Sequence, residues 1–268
     1  MPVTLDEIVA ATRLRVAERR RTSDLRELEL HAESHVPRGF RQKLKTESQA
    51  GIAVIAELKK ASPSRGMIRP DFDPQKLACG FEDAGAAALS VLTDEPFFQG
   101  SLQNLRLASR STQLPCLRKD FIIDEFQLLE ARANCADAVL LIVAALAQPS
   151  LIGLAKKSHE LGLDVLCEAH DKEELKRALD AGCDLVGVNN RDLRTFEVNL
   201  ETALRLAPMI PKGVVSVAES GIHTSADLAR LRAAGFHAFL IGESLMKAEN
   251  PGEALRLLLH DAPAVRSC

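Results

Sequence analysis

The feature that most constrains this chain is a join it makes five times. Helix-like text ending in Ala-Gly or a near variant runs straight into an aliphatic stretch, in EDAGAAALSVLT, ARANCADAVLLIV, SHELGLDVLCEA, RALDAGCDLVGVNN and RLRAAGFHAFLIG. Gly85, Gly162, Gly182 and Gly235 suit the positive φ that closes a helix, and Asn134 stands near the same place in the remaining copy. Adding GIAVIAEL, LPCLRKDF and GVVSVAES gives about eight strands, beginning near Ile52, Ala87, Leu114, Ala138, Asp164, Leu185, Val214 and Ala238. Their spacing of about 21 to 35 residues has room for a strand, a helix and two loops, which parallel neighbours need because a hairpin cannot join them.

The strands are almost continuously apolar, as a sheet covered on both faces requires. No GxGxxG follows any of them, so eight βα units predict a closed (β/α)8 barrel rather than an open doubly wound sheet. Between strands lie amphipathic helices such as DKEELKRALDAG, with Leu175 and Leu179 on one face, Asp171 as N-cap and Glu174 in an acidic first turn. Residues 1–48 stand outside the repeat. They predict a helical extension, capped by Thr4 with Glu7 three residues later and packed on one barrel mouth, and 49–268 form the single catalytic barrel. Arg19, Arg20 and Arg21 read as a solvated face.

Composition removes several classes of function. A formal charge of -3 and the lack of any Trp or Tyr leave neither an electrostatic footprint nor a stacking platform for nucleic acid. The first twenty residues carry no apolar h-region and no stretch is apolar enough to span a bilayer, so neither export nor membrane insertion is expected. No two of Cys79, Cys116, Cys135, Cys167, Cys183 and Cys268 form a C-x-x-C pair. Five of the six lie in Ala/Val/Leu-rich surroundings and are expected as reduced core fillers of a cytoplasmic protein. With no P-loop and no Asp/His cluster, neither a metal nor a nucleoside triphosphate is expected; of the scattered histidines, His170 and His223 fall near the predicted active face.

Barrel enzymes carry their chemistry at the carboxyl ends of the strands. Here those ends are polar: Glu57, Lys59 and Lys60; Arg118, Lys119 and Asp120; Glu168; Asn189, Asn190, Arg191 and Asp192; Glu219, Ser220 and Gly221; Gly242, Glu243 and Ser244. Alternation puts Glu57 and Lys59 on one face. If that face is the barrel interior, burying them costs free energy unless they pair with each other or with a substrate, so Glu57, Lys59, Lys119, Glu168 and Asn189 together read as functional. AESGI and LIGES, closing the last two strands, offer backbone N–H groups and helix N-termini at Ser220, Gly221, Gly242 and Glu243, and a substrate phosphate is expected there.

VIAELKKASPSRG, VLTDEPFFQGS, LRKDFIIDEFQ, VLLIVAAL, VNNRDLRTFEVN, VAESGI and LIGESLM, in this order, resemble the indole-3-glycerol phosphate synthase family from about Leu5 to the last helix. The resemblance implies closure of the indole pyrrole ring from 1-(2-carboxyphenylamino)-1-deoxyribulose 5-phosphate, with loss of carbon dioxide and water and no cofactor. It implies Lys119 as general acid, Glu57 and Glu168 as candidates for the proton transfers of dehydration, Lys59 as positive charge beside the phosphate and a further proton source, with the step each serves left open, and Asn189, Glu219 and Ser220 as further active-site groups. Arg191 would hold the substrate carboxylate, Ser62 would accompany binding, and Phe98, Phe121, Leu140 and Leu193 would take the aromatic ring. Glu125-Phe126 and Ala169 depart from the family pattern beside the site. Phosphoribosylanthranilate isomerase would need a cysteine at the end of strand one, where Glu57-Leu58-Lys59 stands, and a phosphate-binding scaffold would have no use for the converging charges. A monomer or weak homodimer acting on a phosphorylated small molecule is the expected state.

Overall fold

A computed structural model describes residues 3–193 and 195–261. Eight strands, β1 (Ala53–Leu58), β2 (Ala88–Leu92), β3 (Cys116–Lys119), β4 (Ala138–Ile142), β5 (Asp164–Ala169), β6 (Leu185–Asn189), β7 (Val215–Glu219) and β8 (Ala238–Ile241), close into a parallel barrel in chain order. The predicted (β/α)8 architecture is what forms, and each strand starts within a residue or two of its expected place. Helices cross over between strands and form the outer ring, and a short hairpin, Ala61–Ser62 with Gly66–Met67, follows β1.

Alternation divides the core into two. Val54, Ala56 and Leu58 point outward into the layer between strands and helices, whereas Ala53 and Ile55 point into the barrel with Leu117, Leu140, Leu166, Leu185, Val217 and Leu240. Aliphatic side chains therefore fill the lower barrel, and the interior positions above them fall to the polar strand ends. Thr4 and Glu7 form the expected capping box, and Asp171 caps the helix Lys172–Asp180 through the Glu174 N–H.

The extension is built differently from its prediction, because it covers both barrel mouths. Helix α1 (Leu5–Thr22) brings Leu5 and Ile8 to the carboxyl-end mouth, while α3 (Phe40–Ala50) inserts fully buried Phe40 and Leu44 among Ala53, Ala138, Leu185 and Ala238 at the opposite one. Truncating either plug would leave a cavity costing about 2–5 kcal/mol. The arginine run is not simply solvated: Arg19 pairs with Glu130 at 3.1 Å and Arg20 with Asp124 at 3.3 Å, while Arg21 pairs with Glu18. Helix α2 (Leu25–Ser34) leads to a second anchor, where buried Asp137 takes charge-assisted hydrogen bonds from the Arg38 backbone at 2.7 Å and its guanidinium at 2.5 Å, with His35 at 3.1 Å.

Two further expectations change. The left-handed residue after the helix Glu125–Ala133 is Cys135, at φ 65°, and not Asn134, whose amide instead donates to the Glu130 carbonyl. The thiols are not all reduced, because the turn at Gly182 brings the Cys183 Cα to 6.4 Å from that of Cys167 and the two are joined as a disulfide. Cys79, Cys116 and Cys135 are free, Cys79 is exposed instead of filling core, and Cys268 lies outside the described residues. Among the described residues no helix is long and apolar enough to cross a membrane.

Candidate active site

The strand register sets the upper interior layer. Ile142 lies opposite Glu168, Asn189 opposite Glu219, and Leu92 opposite Lys119. Arg118, one residue earlier than Lys119, consequently points outward; it is fully buried and satisfied by Asp120 at 2.8 Å, Thr93 at 3.2 Å and the Gln127 carbonyl at 2.6 Å. A strand end that reads as one polar cluster is thus split between a structural cation and a site cation.

Above this layer opens a cavity of about 280 Å³. Its walls include every residue given a catalytic, substrate or phosphate role from sequence, namely Glu57, Lys59, Ser62, Phe98, Lys119, Phe121, Leu140, Glu168, Asn189, Arg191, Leu193, Glu219, Ser220, Gly221, Gly242 and Glu243, but not Lys60, Arg118, Asn190, Asp192 or His170. His223 also lines it, whereas Glu125, Phe126 and Ala169 stand outside. Leu5, Ile8, Leu92, Ile142, Phe196 and Val198 were not singled out. The only trace of Leu5 and Ile8 in the sequence is a weak apolar stripe on α1, diluted by the charges around it.

Two ion-paired groups occupy the cavity floor. Lys59 Nζ lies 2.8 Å from Glu57 Oε1, and Lys119 Nζ lies 3.3 Å from Glu168 Oε2 and 3.7 Å from Glu219 Oε2. Burial opposes charge on Lys119, but Glu168, Glu219 and Glu57 outweigh it and keep the amine firmly protonated. Burial likewise opposes charge on Glu57 and Glu168; Lys59 and Lys119 hold the first below the usual carboxylate range, and Lys119, then His170, hold the second well below it. Glu219 moves the other way. Burial and the neighbouring Glu168 carboxylate push it up to about 8, against the pull of Lys119. Three buried carboxyls thus share two lysines, and Glu219 is the one left to carry a proton.

The walls differ around the circumference. Phe98 and Phe121 meet at a ring separation of 6.1 Å and with the aliphatic residues make an apolar flank. Across from it, Ser220 (φ 65°) and Gly221 (φ 78°) are consecutive residues of positive φ that turn the chain directly after β7. The Asn190 side chain fixes this turn by donating to the Glu219 and Ser220 carbonyls at 3.0 and 3.1 Å. Glu243 is paired with Arg65, Lys247 and Arg191 at 3.1, 2.6 and 3.3 Å, so its charge is neutralised at the rim. Among the described residues no three His, Cys, Asp or Glu side chains are grouped to hold a metal ion.

Closed parallel barrel, buried acid–lysine pairs at the carboxyl ends of the strands and one apolar flank define a (β/α)8 enzyme equipped for proton transfer on a small molecule. The family model for indole-3-glycerol phosphate synthase matches residues 5–258, and the chain belongs to that family of carboxy-lyases, whose role is in tryptophan biosynthesis. The chain is 56% identical over 259 residues to the indole-3-glycerol phosphate synthase of Koribacter versatilis, covering 97% of this chain and all of that protein. It is 48% identical to that of Burkholderia ambifaria, covering 94% of this chain and 97% of the relative. Thiamine phosphate pyrophosphorylase from Pyrococcus furiosus superposes with a TM-score of 0.57 at 17% identity, over 80% of this chain and 95% of that one, a likeness of fold alone.

Proposed function

We propose that this chain closes the pyrrole ring of 1-(2-carboxyphenylamino)-1-deoxyribulose 5-phosphate to give indole-3-glycerol phosphate. The observation that carries the reading is Lys119, a buried ammonium between Glu168 and Glu219 in a cavity with the apolar Phe98–Phe121 flank on one side and the positive-φ Ser220–Gly221 turn on the other. The carboxylate-bearing ring carbon attacks the C2′ ketone, forming the new carbon–carbon bond. Lys119 polarises that ketone and passes a proton to its oxygen as negative charge develops, the alkoxide being far more basic than the amine. Carbon dioxide then leaves the same ring carbon and aromaticity returns.

In the second half the C2′ hydroxyl departs as water and C1′ gives up a proton, which makes the indole double bond. Glu168, held as a carboxylate, takes that proton. Lys59, paired with Glu57, protonates the departing hydroxyl. Arg191, positioned by Glu243 and the Phe196 carbonyl, holds the substrate carboxylate until decarboxylation. Asn189 orients Arg191 by accepting its backbone N–H at 3.0 Å, and Glu219 orients substrate hydroxyls. The backbone at Ser220–Gly221 and Gly242–Glu243 receives the phosphate, Ser62 closes over it, and Phe98, Phe121, Leu140 and Leu193 hold the ring. The enzyme works in the cytoplasm as a monomer or weak homodimer, without nucleic-acid partners.

The test is indole absorbance and emission on mixing purified protein with the carboxyphenylamino substrate, against a chain that contributes no Trp or Tyr signal. Turnover is expected in the wild type and absent in Lys119→Ala, which keeps its far-UV spectrum and still binds substrate. Substrate binding without any indole from the wild type would overturn the reading in favour of a phosphate-binding scaffold.

A further inference from the structure

His170 belongs to no step described above. Its ring stands behind Glu168, outside the cavity lining, with a side chain only 12% exposed. Glu174 is pinned by the Asp171 cap, which accepts its N–H at 2.9 Å, and its Oε2 accepts the His170 backbone N–H at 2.8 Å. The same oxygen lies 2.9 Å from His170 Nδ1, while the buried Nε2, which has no formed hydrogen bond, lies 3.3 Å from Glu168 Oε1 as a charge contact. Both ring nitrogens therefore face carboxylate oxygens that only accept, and the ring can serve both only with a proton on each. Glu168 is in turn divided between its two oxygens: Oε1 goes to His170 and Oε2 to Lys119.

We infer that His170 is a positioning residue, an imidazolium strut between Glu174 and Glu168 that fixes Glu168 Oε1 and leaves Oε2 to face the substrate. The inference rests on the proton-transfer role proposed for Glu168. The groups facing Glu168 are Lys119, Asn189, Glu219, Glu57 and His170, and those facing His170 are Glu168 and Glu174. Burial opposes charge on the ring, yet the two carboxylates outweigh it and move the imidazole up to about 10. The strut completes a line from helix cap to base: Asp171 holds Glu174, Glu174 holds His170, and His170 holds Glu168.

Nitrogen-15 imidazole shifts of the intact protein read the charge directly. His170 is expected to carry both protons at about pH 8 while an ordinary exposed histidine there is neutral; a neutral His170 at that pH overturns the inference. Kinetics reads the positioning. His170→Ala is expected to lower kcat by roughly tenfold to a hundredfold, as removal of an outer-shell partner commonly does, with KM changed by less than about threefold. His170→Gln, whose amide can still donate to Glu168 Oε1 but carries no charge, is expected to recover part of kcat while the acidic limb of its pH profile stays shifted upward by about a unit or more. Wild-type kcat and pH profile in His170→Ala would overturn the inference. A wild type without synthase turnover would instead count against the proposed function, and the imidazole shifts would still decide the charge.

Discussion

Gly187 and Glu219, on neighbouring strands, share one volume: a Cβ on Gly187 would overlap Glu219 Oε1. The missing side chain on β6 is what admits a carboxylate from β7 into the barrel. Gly187→Ala is expected to displace Glu219 and lower kcat at least about tenfold, with a stability loss of about 1–3 kcal/mol from overpacking. Steady-state kinetics beside a denaturant melt measures both. Unchanged turnover would show that the position of Glu219 is immaterial.

The proton on Glu219 has a signature in stability. Its folded pKa lies above the ordinary 4.5, at about 8, because of burial and Glu168, so the native state binds a proton that the unfolded chain has released. The stabilisation is full below the unfolded pKa and is lost as pH rises through the folded one. Melting temperature is therefore expected to decline between about pH 5 and pH 8, and Glu219→Gln to flatten that decline. An identical slope in the variant would assign the decline to other groups.

Asp137 anchors the start of the chain to the barrel through Arg38, His35 and the Cys116 N–H. Burial opposes its charge, but the hydrogen bonds from His35 and Arg38 keep its pKa below the ordinary value. Removing one member of such a buried pair leaves the other uncompensated, and Asp137→Ala is expected to cost about 3–5 kcal/mol. The shift of the urea midpoint at constant m-value measures it, and a loss below about 1 kcal/mol would contradict the assignment.

Gly221 combines positive φ with crowding, since a Cβ there would stand 2.5 Å from Val198 Cγ1. Gly221→Ala is expected to distort the turn after β7 and raise KM for the phosphorylated substrate by roughly tenfold or more, with a smaller effect on kcat. If KM holds while kcat falls, the phosphate does not rest on this turn.

The barrel was legible because its strand starts follow from helix-closing glycines, a signal local in sequence. The one copy without glycine misled by a single residue, Cys135 taking the left-handed place beside Asn134. The polar strand ends were legible as a set, since alternation assigns faces within each strand. What could not be read were relationships across the fold: that Arg19 and Arg20 meet Glu130 and Asp124, and that Cys183 reaches Cys167. Those depend on which helix docks where. The wall formed by Leu5 and Ile8 was missed for the same reason, because nothing near them in the chain marks the surface they cover.

That wall places a condition on synthesis of the chain. Leu5 and Ile8 leave the ribosome long before Gly242 and Glu243, yet all four enclose the same cavity. No nascent intermediate can hold a finished site, however much of its barrel has formed. Chemistry begins only when these two distant stretches of chain have met.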